Sequence, residues 1–342
     1  MNDPVVSLAY SPRGNMANSM DKVASSYSKA LETVGVHSEP LPVDVRLGAA
    51  RGGRITPWRR LATGRYPDGR FVHATEAQAA MRGTAVTTLH VCYFGDNIPA
   101  DAENRFWDRT VKWQTYVAAM HSRTVACVSP FVAAEFRRFF PGHAPKAEYV
   151  PLPFEASPFR LAPVADALWV GTGIPRKRLW MLKNLPEAVQ RLILVHRPFR
   201  EHPLEDYRNL DALREYRTSL DAPPPREIRW LRGLPEADLD RLYRSSRCFV
   251  ATSTYEGFHA APFEAWIRGT PTVVPDHPTY RAQFPNDPEG VFFFTSERDL
   301  DRAVLRAMDH GPFNPDKAIV TEHSFQNVGR ALLGSYTRAG WG

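Results

Sequence analysis

Residues 247–274 read RCFVATSTYEGFHAAPFEAWIRGTPTVV, and this stretch decides the fold class. The apolar run RCFVAT predicts a buried strand. A loop containing Gly257 then turns into a helix over AAPFEAWIRG, with Pro262 suited to its first turn and Gly269 to its stop. TPTVVP predicts the next buried strand. Strand, loop, helix and strand in so short a span is the unit of a parallel sheet covered by helices. Free backbone N–H groups at such a helix start, aided by the helix dipole, suit a phosphate. Glu256 stands in the loop and Glu264 inside the helix, so their carboxylates can address different parts of one extended ligand. A carboxylate near sugar hydroxyls makes short, charge-assisted hydrogen bonds.

The same rhythm extends both ways. Upstream, ALWVGT, RLILVH, a strand near EIRWL and the helix EADLDRLYRSS precede the stretch; a helix over roughly Phe325–Tyr336 closes the chain. In the first half, VVSLAY, TAVTTLHVCYF and TVACVS read as strands. Helices are expected over about Ser19–Val34, about Ala102–Ser122 and from Ser129-Pro130, where serine caps and proline enters the first turn. The stretch AEYVPLPFEASPFRLAPVAD, with four prolines, separates the halves. The chain of 342 residues therefore reads as α/β, with two doubly wound Rossmann-like domains facing across a cleft. The expected division is 1–160 and 161–322, with 323–342 a terminal helix crossing back to the first domain.

Hydrophobic residues make up 43% and charged residues 23%, the balance of a globular protein. No run of eighteen apolar residues is present, and the first thirty residues lack a basic segment followed by an apolar stretch. Cys92, Cys127 and Cys248 lie in or beside apolar runs and read as buried thiols. These features predict a cytoplasmic protein. Met1–Val164 holds 19 Lys+Arg against 14 Asp+Glu, so most of the net charge of +6 lies there. Arg46, Arg51, Arg54, Arg59, Arg60, Arg65 and Arg70 follow one another with Asp68 the single acid between them. That stretch is either a solvated loop or a contact for anionic lipid at the inner membrane surface, acidic glycan or nucleic acid.

The string Ser253-Thr-Tyr-Glu-Gly-Phe-His-Ala-Ala-Pro-Phe-Glu264, with Gly269-Thr-Pro271 after it, resembles the donor-binding signature of the retaining GT-B glycosyltransferases of group 1, the family-four-like enzymes. The resemblance implies a GT-B fold and transfer of a hexose from a nucleotide-diphosphate sugar to an acceptor hydroxyl with retention. It implies no metal and no cofactor beyond the sugar nucleotide, and a leaving phosphate that helps to accept the acceptor's proton. A glycan or lipid-linked acceptor fits the family best. A transferase acting on modified nucleic acid and a non-catalytic nucleotide-sugar binder are the alternatives. Glu256 would contact the donor sugar and Glu264 the ribose, with the backbone of Gly257, Phe258, His259 and Ala260 close to sugar and diphosphate. His259 stands where the family carries glycine, and would narrow the pocket or supply an extra donor.

The loop Gly171-Thr172-Gly-Ile-Pro-Arg176-Lys177 resembles the family's phosphate loop, and Lys177 falls on its phosphate-holding lysine. Many relatives place a cation where Thr172 stands, so Arg176 or Arg178 would compensate. Gly233 falls on the loop beside the nucleotide base. Gly14 and Asn15 fall where backbone approaches donor and acceptor, and His90 on a histidine near the acceptor. Catalytic roles are therefore expected for Glu256, Lys177 and His90. Asp238-Leu-Asp240 and Asp299-Leu-Asp301 lie in helical stretches, so their carboxylates need not converge on an ion; the first pair is expected to be solvated.

Overall fold

The computed structural model describes residues 5–10, 19–43, 64–90, 102–157, 159–171, 177–196, 227–254 and 256–341. The chain divides into two compact units. One comprises Met1–Glu155 and Thr321–Gly342, and the other Ala156–Val320.

The first unit is a six-stranded, wholly parallel sheet among the described residues. Its strands are β1 (Val6–Tyr10), β2 (Ser38–Pro42), β3 (Phe71–Ala74), β4 (Thr84–Leu89), β5 (Thr124–Cys127) and β6 (Ala147–Tyr149), in the order β2-β1-β3-β4-β5-β6. Helices α1 (Ser19–Glu32), α2 (Ala102–His121) and α3 (Pro130–Phe139) cover it. The expected cap is present: Ser129 Oγ accepts from the Val132 N–H, with Pro130 in the first turn of α3. β4 is buried at every position, which is why it reads as a continuous apolar and threonine run. Short β2 and β3, SEPLP and FVHA, carry too little apolar pattern to be found by sequence.

The second unit has β7 (Ala165–Gly171), β8 (Arg191–His196), β9 (Glu227–Arg232), β10 (Ser246–Val250), β11 (Thr272–Pro275) and β12 (Val291–Phe294). They run parallel in the order β12-β11-β10-β7-β8-β9. Counted within the unit this is 6-5-4-1-2-3, the doubly wound Rossmann order. Its helices are α4 (Glu236–Arg244), α5 (Ala260–Trp266), α6 (Pro278–Gln283) and α7 (Glu297–His310). The core joins Trp169, Leu179, Leu182, Leu194, Val250 and Val273 to Leu300, Val304 and Ala307 of α7, all buried. The chain returns to the first unit through α8 (Lys317–Glu322) and α9 (Phe325–Arg338). At Gly329 of α9 a Cβ would stand 2.2 Å from the Ala30 carbonyl oxygen of α1, so only glycine permits this helix crossing.

Cys127 and Cys248 are free and buried, and burial pushes both thiols up to about 12, which keeps them protonated and inert. Cys92 lies outside the described residues. No helix among the described residues is long and apolar enough to cross a membrane.

Candidate functional site

Open α/β sheets bind ligands beyond the carboxyl ends of their strands, at the point where the winding direction reverses. In the second unit that point lies between β7 and β10, adjacent in the sheet with Ser246 beside Ala165 and Phe249 beside Leu168. Three side chains join the loops that leave them. Trp169 Nε1 donates to Thr252 Oγ1 at 3.3 Å, Thr252 Oγ1 donates to the Lys177 carbonyl at 2.5 Å, and Arg178 Nε donates to the Thr252 carbonyl at 2.7 Å. Gly171 ends β7, and a Cβ there would come within 2.8 Å of the Trp169 ring, so the residue is glycine for packing reasons as well.

This tie brings together residues far apart in the chain. Lys177 Nζ lies 2.6 Å from Glu256 Oε1 and 3.0 Å from His259 Nε2, and the side chains of Lys177 and Glu256 are only 10% and 8% exposed. An ammonium only donates, so His259 Nε2 is the acceptor and its proton sits on Nδ1. That proton is donated to Tyr280 Oη at 2.8 Å. The backbone of His259 is clamped twice by Gln283, whose Oε1 accepts from its N–H at 3.0 Å and whose Nε2 donates to its carbonyl at 2.9 Å. Thr279 Oγ1 donates to the Glu256 carbonyl at 2.6 Å. The short α6 thus supports both Glu256 and His259, a role with no periodic or motif signal in PTYRAQ.

Glu264 sits in α5, where its Oε2 accepts from Tyr243 Oη of α4 at 2.8 Å. The rest of that helix pair is tied by Asp240, which bridges Arg244 at 3.2 Å and Arg268 at 2.6 Å. Asp240 is therefore not the solvated carboxylate expected, because Arg268 one helix away competes successfully with water for it. Phe258 lies edge-on against Phe263 at 5.3 Å, so its ring packs against α5. Ser253 Oγ is buried with no hydrogen-bond partner among the described residues, an unusual state for a hydroxyl beside a ligand loop. Gly233 takes φ +60 in the turn after β9, which favours glycine. Arg178 adopts a left-handed backbone, φ 44, and its Nε donates to the Thr252 carbonyl. Thr172 and Arg176 lie outside the described residues. The ring of His259 thus lies between Lys177 and Tyr280.

In the first unit His90 follows β4, and its Nε2 donates to the Thr75 carbonyl at 2.8 Å, which leaves Nδ1 the unprotonated nitrogen. Although the residue keeps some surface, burial of the ring pushes the imidazole down to about 4. His73 in β3 is fully buried, 2.8 Å from Tyr336 Oη and 2.7 Å from Thr88 Oγ1, and burial pushes it down to about 3. Both histidines are neutral in the folded unit at neutral pH, whereas the unfolded chain binds a proton near pH 6.5. The lowered folded values mean that their stability is fully present above pH 6.5 and lost as the pH falls toward 4 and then 3. The melting temperature of the first unit is expected to fall over that window, and less steeply in His73→Asn. Gly14, Asn15, Arg46, Arg51, Arg54, Arg59 and Arg60 lie outside the described residues. Among the described residues no group of three or more His, Cys, Asp or Glu converges on a point.

Residues 214–319 match the family model described as glycosyl transferases group 1. That match lies within the second unit, Ala156–Val320. A curated protein, the O-antigen chain mannosyltransferase B of Escherichia coli, is 32% identical over 168 residues, 44% of this chain and 43% of that protein. The match thus spans less than half the length of that relative. Among solved structures, the sucrose-phosphate synthase of Thermosynechococcus elongatus superposes with a TM-score of 0.66 over 98% of this chain and 96% of its own, at 14% identity. HepE of Anabaena, solved with UDP and glucose, gives 0.66 over 97% and 99%, at 13% identity. Likeness over nearly the whole length of both identifies the fold as GT-B, so the expected fold class holds.

Proposed function

We propose that this chain is a glycosyltransferase that moves a hexose from a nucleotide-diphosphate sugar to a hydroxyl of a glycan or lipid-linked glycan, with retention and without a divalent ion. The observation that carries this reading is the meeting of Lys177 and Glu256 at 2.6 Å beyond β7 and β10, with Glu264 in the helix that follows. A buried ammonium there offers charge to a diphosphate, and transfer develops negative charge on that leaving group. Glu256 offers a carboxylate to sugar hydroxyls and Glu264 one to ribose. On this reading Lys177 and Glu256 exchange each other for the donor when it binds, which keeps neither charge unpaired in a buried site. The leaving phosphate takes the acceptor's proton, so no separate base is required. His90, neutral and with Nδ1 unprotonated, is the first unit's candidate for a contact with sugar or acceptor hydroxyls.

The relative's name, an O-antigen chain mannosyltransferase, supports a polysaccharide acceptor and a mannosyl donor as the first substrates to try. The test is incubation with GDP- and UDP-hexoses and short alkyl glycosides in EDTA, followed by the anomeric proton coupling of the product by NMR. Transfer with the donor's α configuration retained is expected. An inverted product rejects the retaining mechanism. A strict requirement for added metal rejects the metal-independent one.

A further inference from the structure

His259 is held more firmly than packing requires. Its ring is fixed by Tyr280 Oη, its N–H and carbonyl are both taken by Gln283, and both partners are buried. The remaining ring nitrogen is directed at Lys177 Nζ, 3.0 Å away. A lysine ammonium on four rotatable bonds loses much of its rotamer freedom when fixed. Glu256 at 2.6 Å fixes it as well, but a carboxylate also neutralises it. A neutral imidazole nitrogen restrains the ammonium's position without cancelling its charge. The two partners therefore differ in what they leave for an arriving anion.

We propose that His259 is a positioning residue for Lys177, holding the ammonium in place while Glu256 is exchanged for the phosphates of a nucleoside diphosphate. This rests on the reading that Lys177 meets the donor diphosphate. The restraint passes from α6 to His259 and then to Lys177. Tyr280 is the element that makes it specific, because accepting the Nδ1 proton leaves Nε2 free of hydrogen and able to accept. Prior ordering lowers the cost of immobilising a flexible side chain at the moment of binding.

The proposal is tested by titrating UDP, GDP and ADP, and UMP, GMP and AMP, into wild type, His259→Ala, His259→Gln, Tyr280→Phe and Lys177→Ala without metal. The quantity read is the preference for a diphosphate over its own monophosphate, which reports on phosphate contacts and is insensitive to a uniform loss of stability. His259→Ala is expected to lower that preference about tenfold with monophosphate affinity nearly unchanged. His259→Gln, whose amide oxygen can accept from Lys177, is expected to recover part of it. Tyr280→Phe keeps the ring packing and removes the acceptor of the Nδ1 proton; a fall of about threefold is expected, and it decides the matter alone if His259→Ala does not fold. A preference within twofold of wild type in the folded His259→Ala protein overturns the proposal, as does an equal loss of mono- and diphosphate binding. If Lys177→Ala keeps the full preference, or wild type has none, the diphosphate reading of Lys177 fails first and the positioning role with it.

Discussion

Lys177→Ala is expected to reduce glycosyl transfer on the order of 10²–10³-fold, the loss that follows removal of one preorganised charge at a developing anion. The same change is expected to destabilise the second unit by about 3–5 kcal/mol, because Glu256, 8% exposed, keeps a buried charge with its 2.6 Å partner gone. The two losses have different origins and can be separated. In Lys177→Met/Glu256→Gln both charges disappear while the bulk of the side chains stays, so most of the stability should return. Activity should not, since neither the cation for phosphate nor the carboxylate for sugar is present. Denaturant unfolding and initial rates on the three proteins check this. A double variant that regains activity along with stability would show that the pair is structural.

Trp266→Ala is expected to cost about 3–5 kcal/mol, enough to unfold the second unit under mild denaturant, given the small net stability of a domain. Trp266 ends α5, is wholly buried, and donates from Nε1 to the Glu289 carbonyl at 2.8 Å. It packs on Phe263, Phe284 and Phe313 with ring centroids 5.7 to 6.1 Å away. This aromatic cluster fixes the helix that carries Glu264 against the strands around it. Loss of the ring leaves a large cavity and an unpaired carbonyl, and neither can be relieved by a small local shift. Nucleotide binding should be lost with the fold, and a saturating ligand should restore part of the melting temperature.

The sequence and the structure agree most closely where periodicity and punctuation coincide. β7, β8, β10 and β11 are buried apolar runs bounded by loops, and α5 lies between a loop glycine and Gly269 at φ +74. The two glutamates and Lys177 were legible because they sit in motifs with fixed spacing. Tyr280, Gln283 and Thr279 were not, since their roles arise from α6 folding back onto Glu256 and His259. Side-chain hydrogen bonds between segments 21 to 24 residues apart leave no periodic trace. Asp240 shows the same limit in reverse, for a helix-surface aspartate looks solvated until Arg268, just past the end of α5, is placed beside it. The left-handed backbone at Arg178 and its Nε bond to the Thr252 carbonyl likewise have no counterpart in the motif spacing.

The most direct test of a nucleotide-sugar site built on Lys177 and Glu264 is a metal-free thermal-shift panel of nucleoside diphosphates and nucleotide sugars on wild type, Lys177→Ala and Glu264→Ala. At about a hundred times its dissociation constant, a ligand that binds only the folded chain stabilises it by about 2.7 kcal/mol, a readily measured rise. One nucleotide class is expected to raise the melting temperature of wild type and to have little or no effect on either variant. A panel in which no nucleotide shifts wild type, or in which both variants respond as wild type does, would contradict the assignment.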